Sequence, residues 1–229
     1  MPYGFRVEIS GDYACFSRPE LKVERVSYDV ITPSAARGIL EAILWKPAIR
    51  YVIDQIEVCA PIKFENIRRN EVNSKIPYST PETAARKLEQ GELWLAASAD
   101  RAQRAALVLR DVCYIVTAHF EMTDKAAADD TPAKFASMLT RRLEKGQNYH
   151  TPYLGTREFP ARVRPIADDE TPLTPIDETR TLGPMLYDID YVKTTDKKRQ
   201  ETGITFSPSY FMAKMCSGVI DLRNVEVLR

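Results

Sequence analysis

His119 and His150 are the only histidines in the chain, and neither has a histidine or cysteine at metal-ligand spacing. The four cysteines, Cys15, Cys59, Cys113 and Cys216, lie far apart with no Cys-x-x-Cys pair, a pattern read as reduced, mostly buried thiols. No glycine-rich phosphate loop and no Gly-x-Ser-x-Gly elbow occurs. With 9 glycines in all, the chain is not composed like a nucleotide-cofactor fold, so neither a metal nor a cofactor is expected. What remains is acid–base chemistry by side chains. His150 stands in the stretch YHTPY with Tyr149 and Tyr153. An imidazole, which titrates near neutral pH, is the best base or acid on offer. The plainer reading of His150 is a solvent-facing bystander in a polar, proline-bounded loop. His119 lies inside an alternating strand and reads as a hydrogen-bonded sheet histidine. Tyr13 and Tyr51 are lesser candidates, each equally a packing residue with its hydroxyl satisfied.

Basic side chains could add a hold on phosphates. Arg37 and Lys46 lie on or after the first predicted helix, and Arg68-Arg69 at the tip of a predicted hairpin. Arg157, Arg162 and Arg164 lie on or before the closing strand, and Lys197-Lys198-Arg199 in the polar turn TTDKKRQETG. Each alone reads as a solvated face; together they offer enough contacts for a nucleic-acid backbone. Trp45-Lys46 and Arg50-Tyr51 set an aromatic ring beside a cation, which suits stacking of unpaired bases. Trp45 also reads as ending its helix in the core. RNA can be cut without metal, because its 2′-hydroxyl is the nucleophile. The protein then supplies a base for that proton, a cation for the phosphorane and an acid for the 5′-oxygen. Tyrosine, histidine and lysine suffice, and such a reaction spares DNA. Net charge is no guide: 32 basic residues balance 32 acidic ones, although a neutral protein can carry a basic face.

The elements that must position these groups are partly legible. At 229 residues and 44% hydrophobic composition the chain can bury a substantial core. Phe5–Ser10 alternates as a half-buried strand, broken at Gly11-Asp12 and open to resumption over Tyr13–Phe16; Val23–Ile31 is strand-like. Thr32-Pro33 opens a helix, with Ile39, Ala42, Ile43 and the alanines at 35 and 36 forming its apolar stripe, and Lys46-Pro47 stops it. Arg50–Val58 and Ile62–Ile67 read as strands. Asn73–Arg110 reads as an insertion with short helices over Pro81–Gln90 and Ala99–Ala106. Asp111–Met122 is the clearest strand, with Val112, Tyr114, Val116, Ala118 and Phe120 on one face. Thr131-Pro132 opens a second helix, running to about Lys145 with Gly146 as its stop. Phe159–Ile166 closes the pattern. The order β–α–β–β–(insert)–α–β predicts an α+β, ferredoxin-like domain over residues 1–166 with an insertion at 73–110. Residues 167–229 then form a small C-terminal antiparallel β region. Neither a signal-peptide run nor an apolar segment of ~20 residues is present, so a cytoplasmic protein without membrane contact is expected.

Thr32–Val72 (TPSAARGILEAILWKPAIRYVIDQIEVCAPIKFENIRRNEV) also carries a resemblance. GDYACF at Gly11–Phe16, LRDVCYIVTAHFEM at Leu109–Met122 and YLGTREFPA at Tyr153–Ala161 share in it. In that order these pieces resemble the CRISPR-associated "Cas five" family, d variant, of type I-C systems, within the RAMP superfamily. The likeness covers most of Met1–Pro165 and weakens beyond. It implies a ferredoxin-like (RAMP/RRM-like) fold and a metal-independent endoribonuclease that cuts precursor CRISPR RNA at the repeat hairpin. It further implies that the crRNA 5′ handle is kept in an interference complex, with the hairpin RNA and the other subunits of that complex as partners. The family site is a Tyr just before Trp-Lys-Pro and a Lys-His pair in the second long helix. Here Leu44 precedes Trp45-Lys46-Pro47, and Lys134 and Phe135 align with the Lys and His, so only Lys134 carries over. Two alternatives follow. Other groups have taken the roles, with His150, Tyr149 and Tyr153 the local candidates beside Lys134. Or the chain is a non-catalytic crRNA-binding subunit, one that could also bind duplex DNA.

Overall fold

In the computed structural model, residues 4–21, 23–74, 85–86, 96–167, 170–196 and 201–229 are described. Strand β1 spans Phe5–Ala14, β2 Arg25–Val26, β3 Ile49–Val58, β4 Phe64–Val72 and β5 Arg101–Met122. β6 spans Arg162–Pro165, β7 Arg180–Asp196, β8 Glu201–Met215 and β9 Val219–Asp221. Helix α1 spans Pro33–Ile43 and α2 Pro132–Glu144. The described residues form a mixed α and β protein, mostly antiparallel sheet with the helices α1 and α2 packed on it.

β5 is the axis of the main sheet. Its alternating Val112, Tyr114, Val116, Ala118 and Phe120 are all buried, as their period of two requires. This half lies antiparallel between β1 and β3, with β6 on the far edge of β1 and β9 on the far edge of β3, giving the order β6-β1-β5-β3-β9. The helices add Ala36, Ile39, Leu40 and Ile43 of α1 and Phe135, Leu139 and Leu143 of α2 to the same core. Both helices begin as their Thr-Pro pairs dictate. Thr32 Oγ1 accepts from the Ala35 amide at 3.1 Å and Thr131 Oγ1 from the Lys134 amide at 3.3 Å, while the proline forgoes an amide that would have no helical partner. Gly146 ends α2 at φ +60°.

Other expectations give way, each for a physical reason. Ala99–Ala106 is not helical: β5 begins at Arg101, and Arg101–Leu109 pairs antiparallel with β4 while Ala106 and Leu107 pair parallel with β2. Ladder pairing on both edges outweighs the helix preference of three alanines, so the last ten positions of the expected 73–110 insertion belong to the sheet. β4 runs on to Val72, so Arg68 and Arg69 lie within a strand rather than at a tip. Pro81–Gln90 falls outside the described residues, except for Ala85 and Arg86, which are helical. Val23–Ile31 contributes only the two residues of β2. Gly11-Asp12 does not break β1: Gly11 pairs with Val112, and a Cβ there would lie 2.3 Å from Leu154 Cδ1, so the glycine admits a packed side chain.

The C-terminal strands are longer than expected. β7 and β8 form a separate two-stranded ribbon whose Met185, Phe211, Ala213 and Met215 are buried. Its anchor is ionic: Asp188, 8% exposed, lies 2.6 Å from the Arg37 guanidinium and 3.7 Å from that of Arg50. Arg37 also pairs with Glu41 at 3.2 Å along α1. No helix among the described residues is long and apolar enough to cross a membrane.

Candidate active site

The C-terminal turn of α1 and the loop after α2 face each other across an open cleft of about 690 Å³. Gly38, Glu41, Ala42 and Trp45 line it together with Tyr149, His150, Thr151, Tyr153 and Arg157. The three candidates in the YHTPY stretch are therefore gathered in one place. Tyr149 is 74% exposed and Tyr153 38%, and the rings of Tyr149 and His150 meet edge to face at 4.4 Å. Arg157 supplies a cation, and no carboxylate of the described residues pairs with it. Glu41 supplies the one carboxylate of the lining. Burial pushes its carboxyl up from the ordinary glutamate value, and the Arg37 guanidinium pulls the other way.

The loop is held by backbone bonds. The Tyr149 and His150 amides both donate to the Ala42 carbonyl, at 2.8 and 3.1 Å, so the end of α1 that leaves carbonyls unpaired is also what fixes the imidazole's backbone. Arg142 of α2 donates to the Ile43 carbonyl beside it. Further along, the Cys15 amide donates to the Leu154 carbonyl at 3.0 Å, and Leu154 is fully buried. Gly155 makes this approach possible: its φ is +85°, and a Cβ would lie 2.0 Å from the Cys15 carbonyl oxygen. Gly155→Ala is expected to lower stability by at least about 1–3 kcal/mol from backbone strain alone and to loosen the loop. Thermal unfolding and limited proteolysis of the variant would check this; a melting temperature equal to the parent's would contradict it.

Other candidates sit elsewhere. Lys134 lies at the start of α2, its amine 2.9 Å from Asp130 and 3.5 Å from Asp129, and does not line the cleft. Its side chain is 45% exposed, and the Asp130 hydrogen bond holds its pKa above the ordinary lysine value. Leu44 and Phe135 are 1% and 3% exposed, so both positions are apolar core and neither offers a proton to anything outside. The Tyr51 hydroxyl donates to the Leu44 carbonyl at 2.8 Å, and burial raises its pKa far above the usual phenol. Tyr13 packs against Phe159. His119 is indeed a satisfied sheet histidine, its Nδ1 2.8 Å from Asp54 Oδ2.

A family model described as "CRISPR-associated protein (Cas_Cas5)", the Cas5d form, matches residues 4–223. The chain belongs to the Cas5d family. It is 50% identical over 221 residues to a protein of Mannheimia succiniciproducens, covering 95% of this chain and 93% of that one. It is 45% identical over 191 residues to a protein of Thermus thermophilus, covering 82% and 74%. Both relatives are named "CRISPR pre-crRNA endoribonuclease Cas5d". A crystal structure of a CRISPR-associated protein shares the fold, with a TM-score of 0.64 at 23% identity over 96% of this chain and 92% of that one.

In this Cas5d protein the basic groups divide by partner. Arg37 is committed to Asp188 and Glu41, Arg69 to Glu158, Arg162 to Asp12 at 2.9 Å, and Arg164 to Glu8 and Glu170. Lys46, Arg68 and Arg157 are exposed, and no described carboxylate pairs with them. Lys197, Lys198 and Arg199 lie outside the described residues. Trp45, read from the sequence both as a stacking ring and as the core end of α1, is 59% exposed and lines the cleft, so the core reading fails. The signal for this was Leu44: a residue between a buried helix end and Lys-Pro can send only one of two neighbours inward. Glu41 was missed because a glutamate on a helix reads as solvated.

Proposed function

We propose that this Cas5d protein is a metal-independent endoribonuclease that cuts precursor CRISPR RNA at the repeat hairpin and retains the crRNA 5′ handle in a type I-C interference complex. The observation that carries the reading is 50% identity, along nearly the whole chain, to a protein named for that activity. The domain is read as ferredoxin-like over residues 1–166, with residues 167–229 as its β extension. Its support is the order β6-β1-β5-β3, antiparallel throughout, with one helix after β1 and one after β5.

The cleft supplies the chemistry. His150 takes the proton of the 2′-hydroxyl, whose oxygen attacks the adjacent phosphorus. Arg157 stabilises the dianionic phosphorane, and the 5′-oxygen leaves with a proton from Tyr153 or Tyr149. The products are a 2′,3′-cyclic phosphate and a 5′-hydroxyl. Lys134, paired with Asp129 and Asp130 at the start of α2, is not among the residues that line the cleft and is left out of this scheme. Lys46 and Arg68 are read as backbone contacts for the RNA.

A second reading has a specific observation behind it. With Leu44 and Phe135 buried and apolar, the family's Tyr and His positions hold no acid or base. On that reading the protein binds crRNA and neighbouring subunits without cutting, and its backbone contacts could also accept duplex DNA with strong salt dependence. Purified protein mixed with repeat hairpin RNA separates the two. The enzyme releases two defined fragments; the binding module retains intact RNA.

A further inference from the structure

Gly38 occupies the interior of α1, where glycine is markedly less favourable than alanine. Packing does not demand it. A Cβ built there meets nothing within 4 Å, and Gly38 is not among the residues with left-handed backbone. Gly11 and Gly155, by contrast, each have a protein atom where the Cβ would go. The space over Gly38 is the floor of the cleft. Gly38, Glu41 and Ala42 fall on one face of the helix, and Trp45, just past the cap, continues the wall. Two small residues thus make a flat bed between a carboxylate and an exposed indole. A bed of this kind keeps the backbone within reach of something planar.

We propose that this bed seats one unpaired guanine of the RNA substrate, stacked on Trp45 with its Watson–Crick edge turned to Glu41. The inference rests on the endoribonuclease reading of the same cleft and names what that cleft reads. Guanine presents two adjacent donors, N1–H and the 2-amino group, which match the two acceptor oxygens of an ionised carboxylate. Adenine and cytosine set a ring-nitrogen acceptor beside their amino group, so one carboxylate oxygen would face a lone pair. Uracil offers a single donor flanked by carbonyls. The Arg37 guanidinium, donating to Glu41 Oε1 at 3.2 Å, works for the ionised form against the burial that raises this carboxyl's pKa. Trp45 gives the stacking surface that an unstacked base requires. A base bound here would share the cleft with His150 and Arg157.

The test uses the full-length protein and its repeat hairpin RNA, with each unpaired guanosine replaced singly by inosine and by adenosine. One position should lose about ten- to a hundredfold in affinity with adenosine, and less with inosine, which keeps N1–H and lacks the 2-amino group. Glu41→Gln should level the difference between guanosine and adenosine at that position. Gly38→Ala should raise the melting temperature by about 1–4 °C, and Gly38→Leu should weaken RNA binding at least tenfold without lowering that temperature. Equal binding of all substituted RNAs would overturn the proposal, as would undiminished RNA binding by Gly38→Leu, which would leave the bed to a protein partner or to none. Failure of the unchanged protein to bind or cut the parent RNA would instead sink the endoribonuclease reading beneath it.

Discussion

His150→Ala should slow cleavage of repeat hairpin RNA by about 100- to 10,000-fold, the range expected for loss of a general acid or base, while RNA binding stays nearly unchanged. The split follows from where the residue sits. Its backbone amide is bonded to the Ala42 carbonyl, which alanine preserves, and its exposed imidazole makes no contact on which the core depends. Cleavage on a denaturing gel and binding by filter retention measure the two effects separately. Equal losses in both would assign His150 to binding rather than to proton transfer. Lys134→Ala is the informative control. With its amine held by Asp129 and Asp130 outside the cleft, it should cut nearly as the parent does.

Asp188→Ala should cost about 1–3 kcal/mol of stability, which for a chain of this size is a fall in melting temperature of roughly 2–12 °C. Asp188 and Arg37 are mostly buried, with side-chain exposures of 12% and 22%. Removing the carboxylate leaves the Arg37 guanidinium beside Arg50 with Glu41 as its one remaining carboxylate partner, and the Arg37 Nε is already buried without a partner. The β7–β8 ribbon should come away from α1 first, so its amides should exchange early. An unchanged melting temperature would show that the apolar contacts of Met185 and Phe211 suffice to seat the ribbon. The same pairing explains why Arg37 makes a poor phosphate ligand, whatever its appearance in the sequence.

Much of this arrangement was legible because local rules and tertiary packing agree. Thr32-Pro33 and Thr131-Pro132 start helices through side-chain caps, and the alternation of Val112 to Phe120 survives burial in the sheet intact. Gathering Tyr149, His150 and Tyr153 needed only their closeness in the chain. Where the reading failed, distant partners decided. The alanines before Leu107 were drawn into a strand by β4 and β2, which lie far away in sequence. Gly11 reads as a breaker unless Leu154 is known to need its space. Arg37 looks like a solvated cation until Asp188, from a strand 151 positions later, is brought against it. Glu41 joins the site only because the loop after α2 lies against the end of α1, a contact its own stretch of sequence does not signal.

On the proposed mechanism, side chains of this cleft cut RNA through its own 2′-hydroxyl. The most direct measurement is single-turnover cleavage of the repeat hairpin by purified protein in EDTA, beside the same RNA carrying one 2′-deoxy sugar before the cut. One cut is expected in the all-ribose strand, with a 2′,3′-cyclic phosphate on the upstream fragment, and none in the deoxy strand. Tight binding without cleavage of either strand, from about pH 6 to 9, would contradict it. Cleavage of both strands would contradict it equally, because the 2′-hydroxyl would then not be the nucleophile.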